Sequence, residues 1–183
     1  MNWNIFRRTL EGKSAPEITG EVWFNQDVLP KPAQARLAAR QSLRIKQDLP
    51  GMIVLIDFWD YSCVDCIHAF PSMHEWWKRY KDLNFMIIGV HTPEFTYASD
   101  SEKVRDAVIR FNISYPVVSD ADYATWERYQ NTKWPRRLLT DAQGKIRHDF
   151  QDKNDYQAIE AHIQERIRDG HPTLSFTDPS STV

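Results

Sequence analysis

The stretch Met52-Ile53-Val54-Leu55-Ile56-Asp57-Phe58-Trp59 leads, after three residues, into Cys63-Val64-Asp65-Cys66. The first segment is strand-sized, rich in branched and aromatic residues, and apolar at consecutive positions. A strand that faces water on one side alternates apolar and polar residues, so this one is expected to be covered on both faces. The pattern from Cys63 to about Lys81 is helical, with Pro71 inside it. A doubly covered strand running directly into a helix is the first half of a strand–helix–strand crossover. Both cysteines therefore sit at the junction, on the first turn of the helix.

The rest of the chain fits around that unit. Residues 1–14 are polar and without periodicity, and read as a loose arm. Order begins at Ala15-Pro16-Glu17, and Glu21 to Phe24 reads as a short strand. Pro30 and Pro32 interrupt the chain. Ala33 to Gln47 is then rich in helix formers, with Arg36, Arg40 and Arg44 at i,i+4 spacing. That row predicts a solvated helix face, or more specifically a docking surface for an acidic partner. Asn84 to Val90 reads as a second buried strand. An amphipathic helix is predicted over Ser101 to Phe111, with Val104, Val108, Ile109 and Phe111 inward. A short strand at Tyr115 to Val118 and a short helix at Tyr123 to Tyr129 follow. Residues 137–140 and 145–148 form a hairpin about Asp141-Ala142-Gln143-Gly144. The last helix spans Asn154 to Arg168, with Tyr156, Ile159, Ile163 and Ile167 on one side, before a polar tail. Alternating strands and helices predict an α/β fold, a central mixed sheet with helices on both faces. The expected layout is an arm at 1–14, one domain at 15–168 with a helical insertion at 30–48, and a tail at 169–183.

The 183 residues are enough for one domain with a substantial core. A net charge of -2 gives no reason to expect a nucleic-acid partner, and no apolar run is long enough for a membrane-spanning helix. The N-terminus, Met1 to Arg8, is basic but lacks the apolar segment of a signal peptide. As it stands the sequence reads as cytoplasmic, and as periplasmic if a leader is missing.

Two cysteines three residues apart close almost no loop, so a bridge between them stabilises little. Their position offers another use. A helix N-terminus presents free N–H groups and partial positive charge, which stabilise a thiolate at Cys63. Cys66, one turn on, can attack a mixed disulfide and release the reduced product. The alternatives are a zinc site completed by His68, His74 or His91, which would need four ligands, and a pair of ordinary buried cysteines. Haem attachment requires His after the second cysteine, where Ile67 stands.

Ile56-Asp57-Phe58-Trp59 followed by Cys63-x-x-Cys66 resembles the thioredoxin superfamily. Asp57 has the spacing of that family's buried acid, Pro71 that of its helix kink, and Trp134-Pro135 matches its cis-proline. Within the superfamily, Ala15-Pro16-Glu17, Trp59 to Cys63, Gly89 to Phe95, Tyr115-Pro116-Val117 and Asp141 to Ile146 resemble the TlpA/DipZ-like branch of bacterial thiol–disulfide oxidoreductases. The resemblance implies a thioredoxin fold and covers roughly residues 15–168. The insertion, Asp65 and the pair Arg136-Arg137 depart from the usual pattern.

The resemblance assigns Cys63 as attacking thiol and Cys66 as resolving thiol. Asp57, with its pKa raised by desolvation, would pass a proton to or from Cys66; the alternative is a satisfied core carboxylate. Pro135, lacking an N–H, would leave a backbone edge free for substrate peptide, with Trp134 and Tyr61 as walls. Trp59, Trp76 and Trp126 are expected to be packing residues. Glu94 would shuttle protons or shape its loop. Asp65 disfavours the neighbouring thiolate and so favours the disulfide, which predicts reducing character unless Arg136 reaches Asp65.

The function expected is thiol–disulfide oxidoreduction, most simply reduction of protein disulfides. Protein or small-molecule thiols and disulfides would be the substrates, and an unidentified donor would supply electrons. No cofactor and no resident metal are expected. Rival readings are a thiol peroxidase, a metal-binding or copper-delivery module using Cys63, Cys66 and a histidine, and a redox-inactive domain recruited through its arginine-rich insertion.

Overall fold

A computed structural model describes residues 9–151 and 155–176. In chain order it contains β1 (Ile18–Thr19), β2 (Val22–Phe24), α1 (Lys31–Arg40), β3 (Ser42–Leu43), α2 (Ile45–Asp48), β4 (Ile53–Trp59) and α3 (Val64–Tyr80). There follow β5 (Phe85–His91), α4 (Ser101–Arg110), β6 (Val117–Ser119), α5 (Ala124–Arg128), β7 (Arg136–Thr140), β8 (Ile146–Phe150) and α6 (Tyr156–Gly170). Six strands form one mixed sheet in the order β2-β6-β5-β4-β7-β8. The strand beginning at Ile53 is central: β4 runs parallel to β5, with Trp59 opposite His91, and antiparallel to β7, with Asp57 opposite Arg137.

All seven residues of β4 and all seven of β5 are buried, as their unbroken apolar character required. One face, carrying Trp59 and Asp57, is covered by α3 and α6. Trp59 meets Phe70 edge-on, and the Arg137 guanidinium lies over the Tyr156 ring. The opposite face carries Phe58, which packs against Trp126 and Tyr129 from α5 and the residue after it. The buried positions of α3 are Cys66, Ala69, Phe70, Met73, Trp76, Trp77 and Tyr80, a helical stripe that leaves Pro71 outside on the exposed side. Among the described residues no helix is long and apolar enough to cross a membrane.

The insertion departs from expectation. One helix was expected over Ala33 to Gln47. Instead α1 ends at Arg40, Gln41 takes a left-handed conformation (φ 53°), and β3 pairs with β1 before α2 begins. The reason is Asp48, which is buried. Its carboxylate accepts from Arg36 (3.2 Å), Arg40 (2.6 Å) and the Arg44 N–H (2.8 Å). Arg44 in turn reaches Glu17 at 2.9 Å. The arginine row stays exposed, as a solvated face requires, but its ends are tied to the buried Asp48 carboxylate and to Glu17. Leu43, Ile45 and Leu49, each almost fully buried, are too closely spaced to share one side of a helix with Leu37 and Ala33.

Three smaller differences have similar causes. Within the arm, residues 9–14 are docked: Leu10 is buried, and Gly12 and Lys13 exchange backbone hydrogen bonds of 2.8 Å with Ile146. Residues 1–8 lie outside the described part. Ile109 is 71% exposed, because the buried stripe of α4 is Val104, Ala107 and Val108. The tail begins against the core, with Phe176 edge-on to Tyr80; residues 177–183 and the expected helix start at Asn154 are outside the described residues.

Candidate active site

The loop after β4 is held by a residue that the sequence did not single out. Asp60 is fully buried. Its Oδ1 accepts from the Ser62 N–H and hydroxyl, both at 2.6 Å, and its Oδ2 accepts from the Glu94 N–H at 2.6 Å. Its carbonyl accepts from the Cys63 N–H at 3.1 Å. One carboxylate thereby ties the loop entering α3 to the loop leaving β5, and sets where α3 starts.

Cys63 is the N-cap of α3. Its sulfur accepts from the Cys66 N–H at 3.2 Å, so a free donor of the helix end points at this atom. Cys63 is partly exposed, whereas Cys66 is 1% exposed. The two are joined as a disulfide, with their Cα atoms 5.2 Å apart. Among the described residues no histidine or carboxylate joins these sulfurs in a ligand cluster: His91 is enclosed, ringed by Trp59 and Tyr61, and His74 stacks on Phe70.

The Asp57 carboxylate lies on the α3 and α6 side of β4, and its partner is Arg137, directly across from it on β7. Asp57 Oδ1 and Arg137 Nε are 3.0 Å apart, and both side chains are 2% exposed. Burial pushes the Asp57 carboxyl above its ordinary range, and the Arg137 guanidinium pulls against that rise. The Tyr115 hydroxyl is also buried, without a hydrogen-bond partner among the described residues, and burial and the nearby Asp57 hold it well above the ordinary phenol range. Arg136, the neighbour in sequence, turns to the other side. It makes a two-pronged pair with Asp149 at 2.8 and 2.7 Å and donates to the Tyr129 carbonyl. It does not reach Asp65, so the cancellation allowed for in the sequence does not operate in this structure.

The Trp134–Pro135 peptide is cis. Because Arg136 lies opposite Phe58, Pro135 stands level with Trp59 at the cysteine end of the sheet. The Trp134 indole donates to the Thr92 carbonyl at 3.0 Å and packs on Trp126 at 4.1 Å between centroids. Tyr61 stacks on His91 and donates to the Tyr97 carbonyl. Glu94 has an exposed side chain, and its contribution to loop shape is its backbone N–H on Asp60. Asp65 is exposed on the first turn of α3. Trp59 and Trp76 are buried, as packing residues are.

Of the residues missed, Asp60 carried a weak signal in its position just after a buried strand. Arg137 was noticed as unusual, but its partner depends on the β4–β7 register.

A C-x-x-C pair at the strand-to-helix junction of this sheet, with a cis-proline before the next antiparallel strand, places the domain in the thioredoxin-like class of thiol–disulfide oxidoreductases. The chain belongs to the AhpC/TSA family, whose model matches residues 25–149. It is 40% identical over 137 residues to DipZ of Mycobacterium tuberculosis, a match that covers 75% of the chain and 20% of DipZ. It thus spans about a fifth of that relative's length. Thiol-disulfide oxidoreductase YkuV of Bacillus subtilis is 28% identical over 134 residues, 73% of this chain and 80% of YkuV. In structure it is similar to a protein described as thiol:disulfide interchange protein DsbE from Chlorobium tepidum, with a TM-score of 0.66, 21% identity, and coverage of 86% of this chain and 97% of the other. At that identity the likeness concerns the fold.

Proposed function

We propose that the protein reduces disulfides in other proteins, with Cys63 as the attacking and Cys66 as the resolving thiol. The observation that carries this reading is the asymmetry of the pair. Cys63 is the accessible sulfur and receives a helix-terminal N–H, whereas Cys66 is buried behind it. In the reduced protein the same N–H supports a thiolate on Cys63. That thiolate attacks a substrate disulfide, forming a mixed disulfide and releasing one substrate thiolate. Cys66 then attacks Cys63, which frees the second substrate thiol and leaves the disulfide seen here. Cys66 must lose a proton in this step, and Asp57 is the carboxylate we assign to take it, directly or through a water. Two electrons from a further thiol donor restore the dithiol.

The edge beside Pro135 is the proposed seat for the substrate backbone, with Trp134 and Tyr61 as its fixed walls. Asp65, exposed beside Cys63, disfavours the thiolate and tilts the couple towards reduction of others. A peroxidase reading finds less support, since both hairpin arginines are paired with buried carboxylates.

A redox titration in thiol buffers, read by alkylation and mass, tests the proposal. The expected result is a reversible two-electron couple at about -250 mV or lower. A value near about -120 mV would make the protein a disulfide donor instead. A pair that never bridges would end the reading.

A further inference from the structure

Two strands away from β4, level with Leu55 and not with the cysteine end, α6 lays a second group of side chains against β8. His148 projects from β8, and His162 and Glu165 project from adjacent positions on one face of α6. The His148 and His162 rings lie face to face, 3.7 Å between centroids and 29° from parallel. Phe150 stacks on His148 at 5.7 Å, lies tilted against His162 at 5.9 Å, and closes one side. His162 Nδ1 is 3.3 Å from Glu165 Oε2. One donor atom from each of the three residues lies within 4.8 Å of the other two.

We propose that His148, His162 and Glu165 form a binding site for a divalent transition-metal ion of the zinc, copper(II) or nickel class. Two imidazoles and one carboxylate match that class and not calcium or magnesium, which take oxygen ligands. Metal–nitrogen and metal–oxygen bonds of about 2.0–2.2 Å would require the two imidazoles to turn out of their face-to-face stack, so that their in-plane lone pairs converge on one ion. Solvent would complete the coordination sphere.

Two features favour a built site over a chance meeting. First, Glu165 is already divided in the way that ligating carboxylates are: Oε1 is held by Arg166, and Oε2 is turned to His162. Second, the two cations near the site are themselves compensated. Arg166 also pairs with Asp169 at 3.0 Å, and Arg147 pairs with Asp141 at 2.7 Å. The ion would join an edge strand to the last helix, and would be independent of the cysteines and of the function proposed for them.

The test titrates zinc chloride into the oxidised protein, where Cys63 and Cys66 are bonded and cannot ligate, against a chromophoric chelator. The expected result is one equivalent bound, weakened at least tenfold by His148→Gln and by His162→Gln, and unchanged in the double variant Cys63→Ser/Cys66→Ser. Zinc should also raise the melting temperature of the wild type but not of the two histidine variants, whose own unfolding transitions report that they fold. No uptake at millimolar zinc would overturn the proposal. So would stoichiometric binding that survives both histidine substitutions, or binding that appears only after reduction and disappears with the cysteines.

Discussion

Removing either partner of the Asp57–Arg137 pair should destabilise the protein, but with different dependence on pH. At 3.0 Å, two unit charges in a medium of effective dielectric 20 attract by about 5 kcal/mol. Each is almost wholly out of water, so much of that attraction only offsets desolvation. Breaking it is another matter, because the remaining charge is stranded; about 3–5 kcal/mol is the expected loss in either single variant at pH 7. The variants then diverge. In Arg137→Met the stranded group is a carboxyl, which escapes by binding a proton. Its folded pKa lies above the unfolded value, so the folded state holds more protons, and stability falls as pH rises through that window. The deficit relative to wild type is thus largest at pH 7 and shrinks towards pH 4. In Asp57→Asn the stranded group is a guanidinium, which cannot deprotonate in this range, while the wild type gains stability on protonating its raised Asp57 carboxyl as pH falls, so the deficit grows towards pH 4. Asp57→Leu/Arg137→Met, with neither charge, should recover most of the loss. Urea unfolding with the disulfide intact, at pH 7 and pH 4.5, measures all of these. Equal pH dependence in the two single variants, or losses under about 1 kcal/mol at pH 7, would refute the stranded-charge argument.

Burial holds His91 down at about 4, with Asp60 pulling the other way. The ring is therefore neutral when folded but charges in the unfolded chain below about 6.5, and stability should drop by about 3 kcal/mol as pH falls from 6.5 to 4. His91→Gln should flatten that slope in the same unfolding assay, though His148 contributes in the same direction. Asp60→Ala removes the acceptor of three hydrogen bonds and should cost at least about 2 kcal/mol; amide exchange should rise at Ser62 and Glu94 together, and a rise at one alone would contradict a shared tie. Asp65→Asn should raise the reduction potential by about 10–20 mV, since an exposed carboxylate acts weakly on its neighbour; an unchanged or lower value counts against its tuning role.

What the sequence revealed and what it hid divides along a physical line. The β4–α3 unit was legible because its signals are local: consecutive apolar residues for a strand covered twice, then a helical stripe, with cysteines where one becomes the other. The insertion misled for an equally local reason. Helix formers with arginines at i,i+4 look like one solvated helix; the arginines are indeed exposed, but they converge on the buried Asp48 carboxylate and the helix breaks at Gln41 between Arg40 and Arg44. The apolar trio Leu43, Ile45 and Leu49 was the available warning. Its spacing fits no single helix face, and propensity is a weak guide where tertiary burial competes.

The site follows the same division, with a sharper consequence. Cys63, Cys66 and Asp57 are close in sequence and were assigned from it. Arg137 comes eighty residues later, and whether it meets Asp57 or points to the opposite face is a matter of register, where one residue of slip reverses the side. Arg136 shows the other outcome: adjacent in the chain, it crosses to Asp149 and leaves the cysteine side altogether. Two consecutive arginines in a fully buried strand must each find a carboxylate on their own face, because neither can shed its charge. The strand that follows the cis-proline is therefore anchored on both faces by charge pairing, Asp57 on one and Asp149 on the other. The carboxylate proposed as proton acceptor for Cys66 is thus also one of the two anchors of the strand that carries the proposed substrate edge. On that proposal, proton transfer and the placement of the edge would be coupled through a single side chain, which is why Asp57 variants should be compared with Arg137 variants before any loss of activity is attributed to proton transfer alone.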